Sequence, residues 1–485
     1  MKTIATISRP VRHHILALLA LCVALSGSGY AAYDAASKLA PKNSVGSAQV
    51  IDGSLQKADL SSKAFAGLKG APGARGTLGP AGPAGIPGPL GAKGDPGAAG
   101  APGQPGGTGP LGAAGPALVR TAPSANALTT LDSAGDVGQY TSATIGSDGL
   151  GLISYYDVTN HVVKVAHCND QACTNATTTP LATAGVASTT TSVTIGTDGL
   201  GLIGYRDESG AAGALKVAHC NNPACTSAGV STVDSAPTHD IGNSSSMTIG
   251  ADGRALISYQ DNNQLTFAVA LKVAHCNDLA CTSATTATID STADVANFTS
   301  ATSGADGRAL ISYNDATNGD LKVAHCSNVA CTSADSVATL DSAGNTGFNP
   351  SATIGVDGLG LISYINHTSN ELKVAHCIDP ACTSAGVSTL ANQASTDTSV
   401  TIGPDGRPLV SFGSFNLSLG VAHCDDVPCS GASLSSADKG NVGNSNSVTL
   451  GSDGLALISY RDEANKDLKV AHCTNAFCVP YFRRR

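Results

Sequence analysis

A segment of the form Val-Ala-His-Cys-x4-Cys occurs seven times in the 485-residue chain, and its spacing constrains the fold more than any other feature. The first cysteines stand at 168, 220, 276, 326, 377, 424 and 473, giving steps of 52, 56, 50, 51, 47 and 49 residues. Each unit holds four short runs of β type, clearest in the fourth: "TSATSG", "RALISY", "LKVAHC" and "DSVATLDS". Their alternation and β-branched content mark strands, and the seven Asp-Gly pairs from Asp148-Gly149 to Asp453-Gly454 mark tight turns between them.

Four strands per unit at this period is the sequence signature of a β-propeller blade, so residues 126–485 are read as an all-β, seven-bladed β-propeller. The ends support closure. "ALTTLDSAG", residues 127–135, matches the fourth strand of a unit but precedes the first complete one, while the seventh unit stops at "CVPYFRRR" with almost no fourth strand. The early strand then completes the last blade and removes a free sheet edge. The turn "GSDGLGLISY" is similar to the Asp-box of sialidase-type propellers, though the aromatic residue that closes that motif is missing here.

The paired cysteines admit three chemistries. In an exported chain with 14 of 15 cysteines in such pairs, a disulfide in each blade is the strongest reading. The expected bridges are Cys168–Cys173, Cys220–Cys225, Cys276–Cys281, Cys326–Cys331, Cys377–Cys382, Cys424–Cys429 and Cys473–Cys478, each across a four-residue hairpin loop between the third and fourth strands. Each small loop contributes about 2 kcal/mol on a chain-entropy account. A zinc knuckle fails because His275 and Cys276 are adjacent on a strand and face opposite ways. Redox catalysis uses closer spacing and has no use for seven copies.

The seven histidines, 167, 219, 275, 325, 376, 423 and 472, recur in every blade and so read as part of the blade-to-blade packing rather than as one ligand site. The Asp-Gly turns read as backbone chemistry, glycine supplying a positive φ. After the second strand, Asp157, Asp207, Asp261, Asp315, Asn366 and Asp462 lead into loops that vary from blade to blade, and the sixth blade departs with "SFGS". Their leading role is to cap those loops; they are also the candidates for a ligand face, because the variable loops share one end of the ring. Nothing resembles a contiguous calcium loop, so neither a metal nor a cofactor is assigned.

From Gly67 to Ala117 glycine falls at every third position through 17 triplets, with ten prolines among the 51 residues. Only glycine fits where three chains meet at an axis, so the strict period predicts a triple helix and a homotrimer, as a rod of roughly 150 Å. The segment resembles the collagen-like stalks of bacterial surface proteins. Residues 32–66 resemble the spacer that such proteins carry, and 118–125 form a linker.

At the N-terminus Lys2, Arg9 and Arg12 precede the apolar run Ile15–Leu25 and the small residues before Ala31. Residues 1–31 are therefore read as a signal peptide cut after Ala31, or as a retained membrane anchor; either places the remainder in an oxidising, extracellular or cell-surface space. Cys22 is read as a small apolar residue of that run.

Charge excludes one class of partner. Before residue 121 there are 11 Lys and Arg against 4 Asp and Glu, and from 121 onward 16 against 32, an acidic balance that repels phosphate backbones. The sequence thus predicts a trimeric stalk that presents propeller heads to a surface glycan or protein ligand, and a chain that is not an enzyme. A sialidase-type glycoside hydrolase and a structural envelope or spore component are the alternatives. Arg254, Arg308 and Arg407 all follow Asp-Gly turns and so sit on one rim instead of converging on a substrate. The absence of tryptophan argues against a sugar platform.

Overall fold

The computed structural model describes residues 126–479 apart from 186–189, 211, 293 and 417. The signal or anchor, the spacer, the Gly-X-Y segment and the linker lie outside the described residues. Among those described, no helix is long and apolar enough to cross a membrane.

Twenty-eight strands, β1 to β28 in chain order, form seven four-stranded antiparallel sheets. The first blade is β2 (Gln139–Ile145), β3 (Gly151–Asp157), β4 (Val162–Cys168) and β5 (Ala176–Thr183), paired in sequence order. The last blade is built differently. Its strands β26 (Val442–Leu450), β27 (Ala456–Asp462) and β28 (Asp467–His472) are completed by β1 (Ala127–Asp132), which runs antiparallel to β28 with Ala127 opposite His472. The closure expected from the two chain ends is therefore present. The first strand of each blade touches that of the next, and β26 touches β2, so the contacts run unbroken round the axis.

Burial follows this plan. The second strand is buried along its length, as in β3, while the outermost strand alternates and is largely wet, as in β5. The apolar core is divided into seven clusters, one between each pair of neighbouring blades. Leu152, Val163 and Val165 of the first blade, for instance, pack on Val193, Ile203 and Ala218 of the second. Burying such faces is the main force that holds successive blades together.

All seven disulfides are formed, with Cα atoms 4.8–4.9 Å apart and both sulfurs' residues fully buried in the inter-blade clusters. One detail differs from the spacing argument. Cys168 faces Ala176 across the ladder, not Cys173, so the loop is wider than four residues. Cys173 sits within it in the left-handed region at φ 53°, where its amide donates to the Asp170 carbonyl. The bridge thus ties a strand end to the inside of its own turn, and the second cysteine of every other pair has the same conformation.

The histidines and the Asp-Gly turns prove to be one device. In each blade the histidine Nε2 lies 2.8–3.0 Å from a carboxylate oxygen of the turn aspartate: His167 with Asp148, His219 with Asp198, His275 with Asp252, His325 with Asp306, His376 with Asp357, His423 with Asp405 and His472 with Asp453. The other oxygen of Asp148 accepts the Leu150 amide, and Gly149 takes φ 80°. The aspartate is therefore more than backbone chemistry, since it links the turn to the third strand of its own blade.

A second device joins neighbouring blades. Asp132, Asp234, Asp290, Asp341 and Asp438, each on an outer strand, accept hydrogen bonds from the tyrosine and the lysine of the following blade. The tyrosines are Tyr155, Tyr259, Tyr313, Tyr364 and Tyr460, and the lysines are Lys164, Lys272, Lys322, Lys373 and Lys469. Burial, followed by these carboxylates, pushes the phenols well above their usual range. Two junctions lack the clamp because Ala182 and Ala391 occupy the aspartate position. At the latter junction the partners are absent as well, replaced by Phe412 and Gly420.

Candidate functional site: an axial pocket

The innermost strands are regular only from an invariant Ser-x-Thr onward, Ser142 to Thr144 in the first blade and Ser447 to Thr449 in the seventh. Just before it the ladder slips in six blades, for example between Gln139 and Ser142, Phe348 and Ser351, and Asn444 and Ser447. Tyr140, Ser244, Asn349 and Ser445 are driven into the left-handed region there, at φ 45–52°. Such bulges re-aim side chains, and non-glycine residues held at these angles cost of order 1 kcal/mol each or more.

The consequence is a cavity of about 560 Å³ on the axis to which all seven blades contribute. Tyr140 and Thr141 come from the first, Thr191 from the second, Ser245 from the third, Phe298 from the fourth, Phe348 from the fifth, Asp397 from the sixth and Asn446 from the seventh. Ser245 is 7% exposed, and its hydroxyl has no partner among the described residues. A buried hydroxyl left open at a cavity wall is a position awaiting a polar ligand atom or water.

Beside it a pocket of about 350 Å³ adds Gln139, His367, Asn444 and Glu463. His367 and Glu463 follow second strands, so the mouth opens on the variable-loop end of the ring. Its apolar wall is aromatic. The His367 ring stacks on Phe348 at a centroid distance of 4.0 Å, and Phe298 meets Phe348 at 5.6 Å. Burial holds the His367 imidazole below its ordinary pKa.

Two carboxylates at the mouth are driven in opposite directions. Asp397 accepts the Ser445 amide at 2.6 Å; its enclosure and then the nearby Glu463 charge raise its pKa against that bond. Burial also acts to raise Glu463, but Arg461 at 2.9 Å, Asn444 at 3.1 Å and Lys466 at 3.3 Å outweigh it and hold Glu463 below its usual value. Arg461 is itself fully buried and also pairs with Asp136 at 2.8 Å.

The residues singled out after the second strands are placed otherwise. Asp157, Asp207, Asp261, Asp315, Asn366 and Asp462 are all at most 8% exposed. Asp157 accepts the backbone and side-chain amides of Asn160, and Asp462 those of Asn465; Asp315 and Asn366 accept amides of their own loops in the same manner, and Asp207 that of Ser209. Asp261 meets the His239 ring at 2.7 Å. They face into their loops rather than out of them. Arg254, Arg308 and Arg407 are not among the residues lining the pocket or its mouth. Among the described residues no group of three or more histidine, cysteine or acidic side chains could hold a metal ion.

The axial residues are not among those singled out from the sequence. Their signal was available: the four or five positions before Ser-x-Thr change from blade to blade ("GQYT", "IGNSS", "GFNP", "STDT", "VGNSN") while the strand that follows barely changes.

Fold and site together define a seven-bladed, disulfide-stapled β-propeller with an open axial pocket. The collagen triple helix repeat family (20 copies) matches residues 63–118 of the same chain. No curated protein matches the chain in sequence. Among solved structures, the chain is similar to an α-L-arabinanase from Penicillium chrysogenum complexed with arabinobiose, at 12% identity and a TM-score of 0.46, over 58% of this chain and 92% of that one. It is also similar to the hydrazine synthase of Kuenenia stuttgartiensis, at 11% identity and a TM-score of 0.48, over 70% and 96%. A third is the leech intramolecular trans-sialidase complexed with 2,7-anhydro-Neu5Ac, at 11% identity and a TM-score of 0.40, over 70% and 68%. Likeness at this level is likeness of fold. It nevertheless corrects the expectation that the chain is not an enzyme: the propellers it is similar to are enzymes, and the exclusion of catalysis does not stand.

Proposed function

We propose that the axial pocket is a carbohydrate-binding site, carried by an exported chain whose collagen segment assembles three such heads on one stalk. The observation that supports this reading best is the lining itself. Phe298, Phe348 and Tyr140 offer apolar faces, and Ser245, Thr191, Asn446 and Asn349 offer hydroxyl and amide groups around them. A sugar ring needs both an apolar face to stack on and donors and acceptors at its rim. The absence of tryptophan does not prevent this, because phenylalanines from separate blades meet at the axis.

The collagen repeats support the trimer, and the trimer gives the stalk a purpose. A single polar pocket of this size binds a small ligand at ~mM to μM affinity. Three heads on one rod turn later contacts into intramolecular events and raise apparent affinity ~100-fold where the ligand is dense. The test is a glycan array probed with the full chain and with residues 126–485 alone, beside a panel of glycoside substrates that reports turnover. The proposal expects both forms to select the same glycans and the full chain to bind a dense surface far better. Binding to no glycan would end the proposal, and equal binding by the two forms would leave the rod as a spacer.

A further inference from the structure

The charge at the mouth narrows the kind of sugar. Asp397 and Glu463 both line it, whereas no lysine or arginine does among the described residues. The two cations nearest in the hydrogen-bond network, Arg461 and Lys466, are directed at Glu463, and Arg461 is 1% exposed. Asp397 has no cation of its own among the described residues; its carboxylate accepts a backbone amide, from Ser445. An anionic sugar such as a sialic acid or a uronate would set its charge beside these two carboxylates with no free guanidinium to receive it, whereas an ammonium beside Asp397 would hold that carboxyl ionised.

We propose that the axial pocket takes an amine-bearing sugar of the glucosamine class, its ammonium paired with Asp397 and its ring face on Phe348. This rests on the carbohydrate-binding reading above and specifies its ligand. The cavity wall supplies a second, independent sign of a polar ligand in the unpartnered Ser245 hydroxyl. The aromatic wall favours the cation as well, since ring faces are negative. A bare divalent ion fits less well, because two carboxylates from separate blades do not make the oxygen cage such an ion requires.

The experiment is calorimetric titration of the full chain with three probes: a glucosamine tetramer, its N-acetylated counterpart and sialyllactose. The glucosamine tetramer should bind about tenfold more tightly than the N-acetylated one, and sialyllactose should not bind. Asp397→Asn keeps an acceptor for the Ser445 amide and should remove that preference, so that the glucosamine and N-acetylated probes bind alike. Should this variant fail to fold, the wild-type chain still decides the matter: rising NaCl should weaken the amine probe alone. Equal binding of the first two probes would overturn this inference and leave the carbohydrate site standing. Tighter binding of sialyllactose would overturn it too, and binding of none of the three would sink both readings.

Discussion

The Ser447 hydroxyl accepts a hydrogen bond from the Ala143 amide at 3.0 Å, across the junction of the last blade with the first. The same bond recurs at the other six junctions, where Ser142, Ser192, Ser246, Ser300, Ser351 and Ser399 receive the amides of Val193, Met247, Ala301, Ala352, Val400 and Val448. A girdle of seven serines therefore runs round the axis just beneath the pocket. It fixes the innermost strands where the bulges begin, so the same residues that close the ring also hold the pocket lining in place.

Replacing Ser447 with alanine leaves the half-buried Ala143 amide without its acceptor, and should cost about 1 kcal/mol. Ser300→Ala, at an ordinary junction, should cost about the same. Deleting residues 127–135 should cost more than either, since it also exposes the edge of β28. Thermal unfolding of the three variants checks the order; an unchanged melting temperature for the deletion would show that β1 does not seal the ring.

Acid should loosen the junctions. Burial alone would raise the pKa of Asp290, but its bonds to Lys322, Tyr313 and Thr292 lower it from 3.8 to about 2. A carboxylate depressed in the folded state stabilises it above the unfolded pKa, and that contribution fades as pH falls from about 4 toward 2. The depression corresponds to about 2 kcal/mol at neutral pH. Asp132 and Asp341 are lowered for the same reasons. Asp290→Asn should therefore destabilise the ring clearly at pH 7 and little at pH 2, as read from denaturant midpoints at each pH. A penalty independent of pH would show that the carboxylate charge is irrelevant to the clamp.

Much of the architecture was legible from the residues. The period, the Asp-Gly turns and the two incomplete ends identify the blades and their closure, because each blade repeats the same backbone problem and solves it with the same residues. The disulfides followed from the export signal expected at the N-terminus and from the spacing, but the loop geometry did not, since nothing in Cys-x4-Cys announces a left-handed second cysteine. The pocket was hidden for a related reason. Its residues are short contributions from seven separate blades, scattered from Tyr140 to Asn446, and Asp397 and Glu463 gain their character only where the ring brings them together. The repeated aspartates after the second strands drew attention because they repeat, and repetition here marks structure.

The missing clamp between the first and second blades can be restored. Tyr205 is fully buried, and its hydroxyl has no partner among the described residues, while Lys216 turns to Asp207 of its own blade. Ala182 faces Val163 at the position where the five clamped junctions carry aspartate opposite leucine. Ala182→Asp should give Tyr205 an acceptor and raise stability by about 1 kcal/mol. A higher urea midpoint is expected, and a lower one would mean that this junction is packed too differently to accept the clamp.

The claim that the axial pocket binds the sugar is tested most directly by Phe348→Ala. Phe348 bridges Phe298 and His367 at the mouth and touches only the edge of the core between the fifth and sixth blades, taking no part in the serine girdle, so its loss should remove the stacking surface and leave the ring closed. With whichever glycan the array selects, calorimetry on the folded variant should show affinity reduced about tenfold or more. Unchanged affinity in a variant that melts as the wild type does would place the binding site elsewhere on the ring and contradict the account.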